Sequence, residues 1–169
     1  MADKSSFSAD EWQKIVGSPF LAGMAVTLAD PSGLWGTLKE GMASASALMA
    51  AKKDTGAASL IKAIVAELET SEGRTSAREA FKSQLTAKTP AELKSQAITA
   101  LTSVAQLVDA KAGTDAPAFK TWLTGIAERV AAASKEGGFL GFGGVAISDA
   151  EKATLEEVSG ALRANNLTA

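Results

Sequence analysis

Apolar residues recur along this chain at three- and four-residue spacing, the period of helices with one greasy face. Ser8-Ala9-Asp10-Glu11 carries the pattern that opens a helix: the Ser hydroxyl takes the third amide and the Glu carboxylate reaches back. Trp12, Ile15 and Val16 then share a face. Gly17-Ser18-Pro19 reads as an interruption, after which Ser18 caps a second helix with Pro19 in its first turn. Phe20, Leu21, Met24, Ala25 and Leu28 form that helix's stripe. Asp30-Pro31-Ser32-Gly33 ends it, either as a tight turn or as a further cap-and-proline start. Leu34, Trp35, Leu38, Met42, Ala45, Leu48 and Met49 mark the next helix, and Leu60, Ile61, Ile64, Val65 and Leu68 the one after.

Residues 70–75 are polar and contain glycine, so a connection is expected there, with Ser76-Ala77-Arg78-Glu79 opening a short helix. Thr89-Pro90-Ala91-Glu92 opens a long one that carries Leu93, Ala97, Leu101, Val104 and Val108 and stops at Gly113. Asp115 is expected to cap the following helix, whose core face is Phe119, Trp122, Leu123, Ile126 and Val130. Residues 137–144 hold five glycines and cannot form a stable helix, since each costs about 0.8–1.0 kcal/mol relative to alanine. Ser148-Asp149-Ala150-Glu151 starts the final helix. The expectation is an all-α, single-domain bundle of about seven or eight helices, with a glycine-rich loop before the last. Residues 1–7 are expected as a flexible tail and 8–169 as the helical domain.

Composition sharpens this picture. Alanine, the best helix former, is the commonest residue. At 169 residues, roughly 70% of the unfolded chain's surface can be buried, enough for a core without staples. The chain has no cysteine and no histidine. That excludes disulfides, thiol chemistry, Ser-His and Cys-His nucleophile systems, and zinc sites built from those ligands. No cofactor is expected. The net charge of −2 gives no whole-domain attraction to nucleic acid. The longest apolar run, 20–29, is half of the roughly 20 residues that a membrane span needs. With acidic residues near the N-terminus, a cytoplasmic location is expected.

Function has few places to sit. Phe139, Leu140, Gly141, Phe142 and Gly143 lie in the glycine-rich stretch, and three readings fit them. They plug the end of the bundle as a buried crossover; or they dock a protein partner, a second copy or a membrane surface; or the glycine amides cradle an anion. The last lacks the Lys-Ser/Thr pair of a phosphate loop, because Val145-Ala146 follow. Arg74, Arg78 and Lys82 recur every four residues and share a face if their helix extends back that far, a weak anion candidate against the plainer reading of a solvated face. Glu67, Glu69 and Glu72, and likewise Asp149, Glu151, Glu156 and Glu157, are carboxylate clusters without calcium-loop spacing. Trp12, Trp35 and Trp122 sit in apolar stripes and are expected to anchor the core. The leading expectation is a non-enzymatic interaction or regulatory protein acting through 137–147; a ligand-binding protein or enzyme with a pocket between helices is the alternative. The run Ile147 to Glu151 with Leu155 and Val158 resembles the last helices of tellurite-resistance-type bundles, a short likeness common to capped amphipathic helices that carries no residue role to this chain.

Overall fold

A computed structural model describes residues 1–29, 46, 48, 50–135 and 147–163. Six α-helices have both ends within them: α1 (Ala9–Thr27), α2 (Ser59–Glu69), α3 (Ser71–Gln84), α4 (Pro90–Lys111), α5 (Asp115–Lys135) and α6 (Asp149–Arg163). A 3-10 turn at Lys4–Ser6 precedes them, and residues 50–53 are helical. Among the described residues there is no strand, so the fold is all-α as the periodicity requires. None of the described helices is long and apolar enough to cross a membrane.

The buried side chains form one cluster, with Ile15, Leu21, Leu60, Ile64, Leu101, Phe119, Leu123, Ile126 and Leu162 at its centre. Helix α1 runs through it and touches each of the other five helices named above, most extensively α4, α5 and α3. Its burial is broad: Trp12, Ile15 to Pro19, Leu21 to Gly23, Ala25 and Val26 are inside, and Gln13, Phe20, Met24 and Thr27 mark the more open line.

That placement corrects the expected break at Gly17-Ser18-Pro19, because α1 continues through it with Pro19 inside. Pro19 has no N–H for the Ile15 carbonyl, a loss that normally breaks a helix. Ser18 makes good the loss: its hydroxyl, fully buried, donates to the Ile15 carbonyl at 2.7 Å. Ser18 is thus a mid-helix repair and not the cap of a second helix.

A second correction concerns residues 70–75. Helix α3 begins at Ser71, not near Ser76, and one residue, Thr70, joins it to α2. The Thr70 hydroxyl accepts from the Gly73 amide at 2.9 Å and donates to the Glu67 carbonyl at 2.8 Å, so it caps both helices. The corner is so tight that a Cβ on Gly73 would stand 2.1 Å from the Glu67 carbonyl oxygen. Only glycine fits there.

Residues 1–7, expected as a tail, pack onto the bundle. Ala2 and Phe7 are buried, the rings of Phe7 and Trp12 stack at 6.1 Å, and the Ala2 amide donates to the Asp115 carboxylate at 2.7 Å. Asp115, expected as a helix cap, spends its carboxylate on this contact with a residue 113 positions away. The other caps are as read from sequence. Ser8 and Glu11, and Ser148 and Glu151, exchange hydrogen bonds reciprocally. Thr89 accepts from the Glu92 amide ahead of Pro90.

Candidate functional site

The charged candidates divide by what the helix ends need. Arg74 is tied into the α2–α3 corner, where its guanidinium donates to the carbonyls of Leu68 at 3.2 Å and Glu69 at 2.8 Å. With the Thr70 amide and hydroxyl both donating to the Glu67 carbonyl, three of the last carbonyls of α2 are satisfied. Helix α3 does reach back far enough for Arg74, Arg78 and Lys82 to lie on one helix at four-residue spacing. All three are exposed, and Arg74 also reaches the end of α2.

The carboxylates are drawn into pairs with lysines from other elements. Lys4 donates to both Glu67 oxygens at 3.1 Å, Lys52 pairs with Glu69, and Lys94 with Glu157 at 3.0 Å. Lys111 grips both oxygens of Glu11 at 2.7 Å. This contact, then the Ser8 amide, holds the Glu11 carboxyl below the usual glutamate range. The Ser5 hydroxyl and amide do the same for Asp3. Among the described residues no group of three or more Asp or Glu side chains is arranged to hold a metal ion.

Depressions between the helices include three lined by described residues. The first, about 420 Å³, lies along α5 beside the C-terminal ends of α4 and α6, with Asp109, Lys120, Thr124, Gly125, Glu128 and Arg163 in its walls. Lys120 is largely buried and donates to both Asp109 oxygens at 2.7 and 2.9 Å, so the pair holds its geometry without a third group. The second, also about 420 Å³, is mostly apolar: Ala51, Ile61, Ala118 and Trp122 with Asp54 and Arg129. The third, about 270 Å³, sits where the N-terminal segment crosses α1 and the α2–α3 corner, between Lys4, Trp12, Glu67 and Glu72. Trp12 and Trp122 reach two of these walls, yet their indole nitrogens are sealed from solvent and lack a hydrogen-bond partner. Trp12, 3% exposed, is a core anchor as its stripe implies.

Sequence reasoning pointed to none of these depressions, since each depends on elements distant in the chain. A partial signal existed for the first: Asp109 and Lys120 flank the Gly113 terminator, and a tight reversal there brings them side by side. Phe139, Leu140, Gly141, Phe142 and Gly143, as well as Trp35, lie outside the described residues. What frames the 137–144 stretch is described. Val130 and Ala131, late in α5, are fully buried. On the far side Ile147 packs against the core, and Ser148 and Glu151 lock the first turn of α6. No protein-family model, curated protein or solved structure matches this chain.

Proposed function

We propose that the protein is a non-catalytic helical interaction module whose docking element is the apolar, glycine-rich stretch 137–147. The observation that carries this reading is the anchoring on both sides of Phe139 to Phe142: buried Val130 and Ala131 before them, and core-packed Ile147, at the end of the stretch, with the capped helix start after them. Flanks held by the core lower the entropy lost when the intervening residues engage a partner. The sequence places Phe139, Leu140 and Phe142 between those anchors. Elsewhere, the described large hydrophobics left exposed are Met1 and Phe20, well separated along the chain. The chemistry of the chain agrees, because without His or Cys it has no side chain whose ordinary pKa suits proton transfer near neutrality.

The test is the double substitution Phe139→Ala with Phe142→Ala, followed by circular dichroism and light scattering after size exclusion. Helical signal and melting temperature are expected to hold while a concentration-dependent dimer, or binding to an isolated partner, is lost. Unfolding of the double variant would mean that these rings plug the bundle instead. A second reading, small-ligand binding between helices, is favoured by the groove at Asp109, Lys120, Glu128 and Arg163, which offers charges of both signs around apolar stems. A reproducible rise in melting temperature with a zwitterionic small molecule, lost in Glu128→Ala, supports that reading.

A further inference from the structure

We draw no further inference here: the strongest candidate, the groove along α5 walled by Asp109, Lys120, Gly125 and Arg163, is an unpartnered face whose most buried charges already satisfy each other, and nothing in the structure shows what covers it.

Discussion

Helices α1 and α3 touch along much of their length yet are built on opposite terms. Helix α1 is buried over most of its surface, although Phe20 is exposed, and holds a glycine, a serine and a proline in its middle. Helix α3 is polar, with only Gly73, Ala77 and Ala80 buried. In α1, contact with five neighbours outweighs what local breaker residues favour, and one serine hydroxyl repairs the single lost hydrogen bond. In α3, burial contributes little, so its position depends on a corner of backbone bonds at Thr70, Gly73 and Arg74. Local sequence signals therefore mislead where packing decides and become decisive where backbone accounting decides.

Substitutions at the two glycines of contrasting surroundings break this comparison most sharply. Gly73→Ala drives a methyl into the Glu67 carbonyl and forces the α2–α3 corner apart; a loss of about 3 kcal/mol is expected. Gly125→Ala, with open space around its added Cβ, should instead gain about 0.5–1 kcal/mol from helix propensity. Urea denaturation of the two variants reads both values. A loss under 1 kcal/mol for Gly73→Ala would show that the corner is not the rigid joint described.

The repair within α1 is next in size. Ser18→Ala leaves the buried Ile15 carbonyl without a donor, at about 1–2 kcal/mol. In a Pro19→Ala background the backbone N–H returns, so the same substitution should cost markedly less. A double-mutant cycle measures that coupling. Equal losses in both backgrounds would detach the hydroxyl from the proline.

The smallest effect is at the surface, where Lys111 ties the start of α1 to the end of α4. Glu11 has its folded pKa lowered from the ordinary 4.5, chiefly by Lys111 and then by the Ser8 amide. A depressed carboxyl stabilises the fold above its unfolded value and loses that contribution as pH falls through the folded one. Stability should thus stay nearly level between pH 6 and 8, where a chain without histidine has no side chain of matching ordinary pKa. It should decline below the ordinary carboxylate value, and Glu11→Gln should flatten part of that decline. Thermal melts across the range, in low salt, would show it; an unaltered slope in the variant contradicts the assignment.

The helical class, most helix positions and three of the caps could be read directly, because a hydroxyl and a glutamate three residues apart act within a single turn. The start of α3 was not legible. Thr70 caps it without an acidic partner at Gly73, so Ser76-Ala77-Arg78-Glu79 offers the stronger local pattern yet lies mid-helix. The N-terminal segment was hidden for a different reason: two buried side chains and a three-residue turn carry no periodicity, and the partner Asp115 is remote in sequence. The second role of Arg74 was not legible, because its bonds to the carbonyls of α2 are not revealed by spacing along α3. The apolar stretch 137–147 was legible as composition, and its described flanks are what the docking proposal rests on.

Native-state hydrogen exchange tests most directly the claim that α1 is one continuous, central helix. The amides of Gly17, Ser18 and Leu21 to Ala25 are expected to exchange only through global unfolding, while those of α3 open at lower free energy. Fast exchange confined to residues 17–22 would split α1 in two, and protection in α3 equal to that in α1 would remove the difference between them.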